Sequence, residues 1–134
     1  MVSEKYIRNM VVESFNSLSR RNISAFLDVW ADNATFTLPV DVGKREKIEG
    51  KNAIQAHFEQ LLEKFPKLIF TLRNVAVNKK GGGAFVALVE WDMSATDKVN
   101  NVFTNNGVTV IEILNQLAVA VRDYFDTVAE EKTT

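Results

Sequence analysis

Asp123 stands in a row of apolar side chains. In the alternating segment that begins at Leu117, the residues Leu117, Val119, Val121, Asp123 and Phe125 share one face of a strand. Ala118, Ala120, Arg122, Tyr124 and Asp126 share the other. A carboxylate in such a row either loses hydration, which raises its pKa, or finds a partner. Both outcomes make it a candidate acid or base; a strand-end aspartate that simply reaches water is the plainer alternative. A second row contains Val86, Leu88, Glu90, Asp92 and Ser94, opposite Phe85, Ala87, Val89, Trp91 and Met93. It reads either as an apolar pocket with acids at one end or as a strand whose end emerges into solvent.

Little other chemistry is available. The chain has no cysteine, which excludes a disulfide framework, a thiolate nucleophile and a thiolate-held metal. Its one histidine, His57, excludes multi-histidine metal sites and makes a Ser-His-Asp triad a stretch. His57 flanks an apolar helical stripe, where a solvated or capping role is commoner than catalysis. Gly81-Gly82-Gly83 lacks the helix and Lys-Ser/Thr that a phosphate loop requires. Sixteen basic against seventeen acidic residues leave a net charge of -1, too balanced for a phosphate-backbone partner, so no nucleic acid is expected. The run from Lys44 to Lys47 is short and mixed in sign, a solvated loop. Neither a signal peptide nor an apolar run of membrane-spanning length is read in the chain, and the expectation is a cytoplasmic protein without cofactor or metal.

The elements that would position these groups are legible in the spacing. The 134 residues are expected to form one domain over residues 1–127, with a polar, frayed tail over 128–134. Ile7, Met10, Val11, Phe15 and Leu18 define a first helix, and Asn22 can cap a short second one containing Ile23, Phe26, Leu27 and Trp30. Residues 34–38 alternate as a strand that Pro39 stops, and residues 39–50 read as a polar loop. A third helix follows Gly50, carrying Ile54, Phe58, Leu61, Leu62 and Phe65, and ends at Pro66. Four strands then follow in antiparallel succession, over residues 68–78, 84–96, 102–114 and 117–126. The first switches phase near Arg73-Asn74, which predicts a bulge or bend. Asn106-Gly107 is a strong hairpin signal; one continuous strand with a bulge or close approach at Gly107 is preferred to a turn there. Glu112 breaks an apolar run and marks the outer sheet face. Helices on one face of a curved antiparallel sheet, in the order α-α-β-α-β-β-β-β, make an α+β fold.

Three segments resemble a known group. The run from Trp30 through Phe36 (WADNATF) and Gly50-Lys51-Asn52-Ala53-Ile54 resemble the SnoaL-like polyketide cyclases. Arg122-Asp123-Tyr124-Phe125-Asp126 is similar to the last strand of limonene-epoxide hydrolase. Both belong to the nuclear-transport-factor-2-like superfamily, which also holds the ketosteroid isomerases. The resemblance runs from about Ile7 to Thr127. It implies a cone-shaped sheet around an apolar pocket closed by three helices. It also implies a homodimer through the outer sheet face, on which Trp91 and Met93 would then lie.

Residue by residue, the resemblance implies a catalytic pair at Asp92 and Asp123, with Asp123 the base and Asp92 its partner acid. The arginine that bridges the pair in epoxide hydrolases is replaced by Glu90, and the tyrosine and asparagine that hold the water fall near Phe36 and Leu38. The family's epoxide hydrolysis is therefore not implied. The isomerase base falls at Leu38, and its oxyanion groups fall near Ser14 and at Thr109, so that pattern is not kept either. The polyketide cyclases need one acid/base aspartate on the last strand in an apolar pocket, which Asp123 supplies. The implied pocket comprises Glu90, Trp30, Phe36, Leu38, Phe58, Leu88, Thr109, Val121 and Phe125.

Three functional readings follow. The first is proton abstraction beside a carbonyl of an apolar small molecule, of cyclase or isomerase type. The second is a non-catalytic module that binds a hydrophobic small ligand. The third is a dimeric scaffold whose pocket is plugged by its own side chains, for which nine phenylalanines and two tryptophans suffice.

Overall fold

Three helix ends are held by side chains that replace missing backbone partners. The computed structural model describes residues 2–127. Helix α1 (Glu4–Ser19) is opened by Ser3, whose side chain accepts the Tyr6 N–H, and it buries Ile7, Val11 and Leu18. Arg21, at φ +65°, turns the chain. Asn22 then caps α2 (Ile23–Leu27) by accepting the Ala25 N–H. Helix α3 (Lys51–Lys64) buries Ile54, Phe58 and Leu62. The carbonyls at its C-terminal end are held by Arg21, which donates to Phe65 O at 2.8 Å and to Leu62 O.

Six strands form a curved, unclosed sheet: β1 (Trp30–Asp41), β2 (Lys44–Glu49), β3 (Lys67–Gly81), β4 (Ala84–Thr96), β5 (Val102–Leu114) and β6 (Leu117–Phe125), in the order β2-β1-β6-β5-β4-β3. The α+β cone expected from the resemblance is present, with two differences of detail. The segment expected as a polar loop over residues 39–50 contains β2, so the order is α-α-β-β-α-β-β-β-β. Charged and almost wholly exposed, β2 is an edge strand with no apolar alternation to reveal it. Pro39 does not end β1; it sits at a register irregularity, where a missing N–H is tolerated. In addition, β1 and β6 pair in parallel, within an otherwise antiparallel sheet.

Bulges set which way side chains face. The register of β3 on β4 shifts between Leu72 and Asn74, where the phase switch predicted one. In β6, Ala118 pairs with Ile113 and Ala120 with Glu112, so Val119 is an extra residue. Ala118 and Val121 consequently both face the core, and Leu117 does not share their side as simple alternation predicts. Strand β5 is continuous and in register across Gly107. No bulge occurs there, but the approach is close: a Cβ would lie 2.6 Å from Tyr124 O and 2.8 Å from Trp91 Cζ2. Asn115 and Gln116, both at positive φ, make the two-residue turn into β6. The tail expected over residues 128–134 lies outside the described residues.

The core lies between the helices and one face of the sheet. Phe85, Ala87, Val89 and Trp91 of β4 are buried there. Trp91 and Met93 are thus on the inner side, not on an outer face as the resemblance led us to expect. Leu88, Glu90 and Asp92 occupy the outer side, and Leu88 is 42% exposed.

Candidate active site

The sheet register places three side chains in line across β4, β5 and β6: Val89 is paired with Thr109, and Thr109 with Asp123. The neighbouring row is Trp91, Gly107 and Phe125. Because Gly107 has no side chain, the Trp91 indole lies against its backbone and reaches diagonally to Thr109. Trp91 Nε1–H donates to Thr109 Oγ1 at 2.8 Å, and the Thr109 hydroxyl donates to Asp123 Oδ1 at 2.6 Å. Trp91 and Thr109 are 3% and 4% exposed, so the bond between them is shielded from water, while Asp123 at the end of the chain is half-buried.

Asp123 forms part of the wall of a cavity of about 60 Å³ between α1, α2, α3 and the sheet. Six aromatic rings line it, those of Phe15, Phe26, Trp30, Phe36, Phe58 and Phe70, together with aliphatic side chains; the polar contributors are Ser14, Thr109 and Asp123. Phe26 meets Phe58 at 4.7 Å, and Phe36 stacks on Phe58 at 5.3 Å between centroids. In this setting burial raises the Asp123 pKa from 3.8 to about 6, opposed by the Thr109 hydrogen bond and by the Arg45 charge. Arg45 of β2 donates to the Asp123 carbonyl oxygen at 3.0 Å, with its guanidinium 4.5 Å from the Tyr124 ring centroid.

Of the residues expected at the site, Asp123, Trp30, Phe36, Phe58, Thr109 and Val121 converge on this cavity. Leu38 and Phe125 pack against the core beyond its wall, and Phe125 lies 6.1 Å from the Trp91 ring. Asp92 does not meet Asp123. It lies on the other side of the sheet and accepts from Arg73 Nη1 at 2.7 Å. Glu90 is beside it on that outer side, bonded by Asn74 Nδ2 at 2.6 Å, and Leu88 follows the same parity. The three share a face as alternation predicts, but that face is the outer one. Glu112, also on the outer side, is bonded by Arg122. His57 packs its ring near Phe36 and Phe58, and burial lowers its pKa. It is not part of the cavity wall. The residue that sequence reasoning missed is Trp91; the glycine opposite it in register, Gly107, was its signal.

The SnoaL-like domain family matches residues 11–121, and the chain belongs to that family. A nuclear-transport-factor-2-like protein of unknown function from Burkholderia pseudomallei is 20% identical. It aligns over 98% of this chain and 97% of its own, with a TM-score of 0.76. TerC, crystallised with polyporic acid, is 17% identical over 94% of this chain and 95% of its own, with a TM-score of 0.74. A phenazine biosynthesis-related protein from Pseudomonas aeruginosa is 15% identical over 98% of this chain and 85% of its own, with a TM-score of 0.69. Among curated proteins, none matches the sequence significantly.

Proposed function

We propose that the chain performs acid–base chemistry on a small apolar carbonyl compound, with Asp123 carrying the proton. The observation that supports this is a carboxyl group set in an aromatic cavity and bonded by a buried threonine, with a pKa raised to about 6. Such a group populates both protonation states near neutral pH, as a general base that must later return its proton requires. In the proposed step the Asp123 carboxylate takes a proton from the carbon beside the carbonyl, and the C–H electron pair moves to the carbonyl oxygen as an enolate. Return of the proton to a different carbon completes an isomerisation. For ring closure, the enolate carbon instead attacks a second carbonyl, and Asp123 protonates the resulting alkoxide. Among the described residues no second carboxylate lines the cavity, and Asp123 acts alone.

The guest is a single-ring molecule. On the measure in which one water needs about 10–15 Å³, a 60 Å³ cavity accepts little more without movement of its aromatic wall. TerC, crystallised with polyporic acid, supports a small-molecule role for this fold. The same small volume favours, as a second reading, a scaffold whose pocket is filled by its own side chains. A homodimer through the outer sheet face is also proposed; Leu88 and Val110, paired in register on that face, would form its apolar centre.

Deuterium exchange at the α-carbon of a small cyclic ketone in D₂O tests the main reading. The wild-type protein should catalyse exchange, and D123N should lose about 100-fold or more of it while remaining folded. Equal rates for the two proteins would overturn the assignment. Binding of the ketone to both without exchange would favour a binding module, and no binding to either would favour the filled scaffold.

A further inference from the structure

Thr109 is fully committed by its neighbours. Its oxygen accepts from Trp91 Nε1–H at 2.8 Å, and its proton goes to Asp123 Oδ1 at 2.6 Å; among the described residues the hydroxyl has no other partner. An indole N–H can only donate, so it cannot take the hydroxyl proton. If Asp123 carried its own proton on Oδ1 and gave it to Thr109, the threonine O–H would be a buried donor without an acceptor, which is unfavourable. Oδ2 has no protein partner among the described residues.

We infer that Trp91 and Thr109 are positioning residues that reserve Asp123 Oδ1 as a permanent acceptor and leave Oδ2 as the oxygen that takes up and releases the proton. The inference deepens the acid–base reading and rests on it for its functional meaning, but its structural content stands without turnover. The two bonds fix the carboxyl about its terminal torsion, which is otherwise broad. A guest is therefore met by one defined oxygen. Gly107 completes the device, since a side chain there would collide with the indole, 2.8 Å from Cζ2. The charged group that faces this unit is Arg45 of β2, two strands away across β1, whose guanidinium acts on Asp123 through space and bonds its carbonyl oxygen, not its carboxyl.

The test is the titration of the Asp123 side-chain carboxyl carbon by NMR in carboxyl-labelled protein, with no ligand added. T109V removes the hydroxyl at nearly constant volume and should raise the midpoint by about one pH unit, a tenfold change in the ionisation constant. T109S should restore the wild-type midpoint. W91F leaves the hydroxyl free to rotate and should shift the midpoint upward by less than T109V. A T109V midpoint at or below that of wild type overturns the inference, and so does a W91F titration identical to wild type. Should T109V lose the dispersed spectrum of the folded chain, T109A and W91F decide the matter by the same criteria. Loss of exchange activity in D123N bears on the acid–base reading, whereas these midpoints bear only on the hydrogen-bonded unit, so the two fail separately.

Discussion

Asp123 carries a stability cost. Its folded pKa of about 6 exceeds the ordinary 3.8, so between these values the folded protein holds a proton that the unfolded chain has released. Stability therefore falls as pH rises from about 4 to about 6 and stays low above it. Two units correspond to about 3 kcal/mol as an upper bound. D123N should be more stable than wild type by about 2–3 kcal/mol at pH 7.5 and by almost nothing at pH 3.5, as read by denaturant unfolding at both values. Equal stability at both pH values would mean that the carboxyl is not desolvated. At this scale the sequence was partly legible: the apolar row around Asp123 pointed to a carboxyl turned inward, and Asp123 lines the cavity. Asp92 was misassigned because alternation tells which residues share a face, not which face is buried. Val86 and Leu88 made the outer row look covered, while Phe85, Val89 and Trp91 in the opposite row were the true inner set.

Elements position the acid through irregularities more than through regular pairing. The extra residue Val119 lets Ala118 and Val121 both face the cavity, which simple alternation forbids. Neighbouring strands in a sheet determine such a bulge, so one strand's sequence does not announce it. Strand β2 was illegible for a different reason: an exposed charged edge needs no apolar pattern, since backbone pairing to β1 alone holds it. The continuity of β5 through Asn106-Gly107 was legible, and the glycine proves to serve Trp91. G107A should cost about 1–3 kcal/mol through overpacking and should shift the indole N–H resonance of Trp91, because the backbone at Tyr124 cannot yield. An unchanged indole signal would show that the indole does not depend on the glycine. At the other end of the helical layer, R21A should cost about 1–2 kcal/mol by stripping Phe65 and Leu62 of their donor, measured by thermal unfolding. Little change would place the cap's worth at that of an exposed bond.

The molecule as a whole is a curved sheet whose helices close over aromatic side chains, and its cavity is what those rings leave. Resemblance made the cone legible across the chain; no sequence pattern could announce the cavity volume, because it is the small difference between a large enclosed space and the side chains that fill it. A118L adds bulk at the cavity wall without adding polarity. It should abolish binding of a single-ring ketone, read by calorimetry, at a stability cost of about 1–3 kcal/mol with the fold retained. Retained binding would locate the ligand elsewhere. If the outer sheet face joins two copies, L88K should convert a dimer to a monomer in sedimentation while leaving the Asp123 titration intact. The claim on which the rest depends is that Asp123 holds its proton close to neutrality inside an apolar wall. Titration of its carboxyl carbon in the wild-type protein measures this directly: a midpoint near 6 is predicted, and a midpoint at about 4, that of an exposed carboxylate, would contradict it.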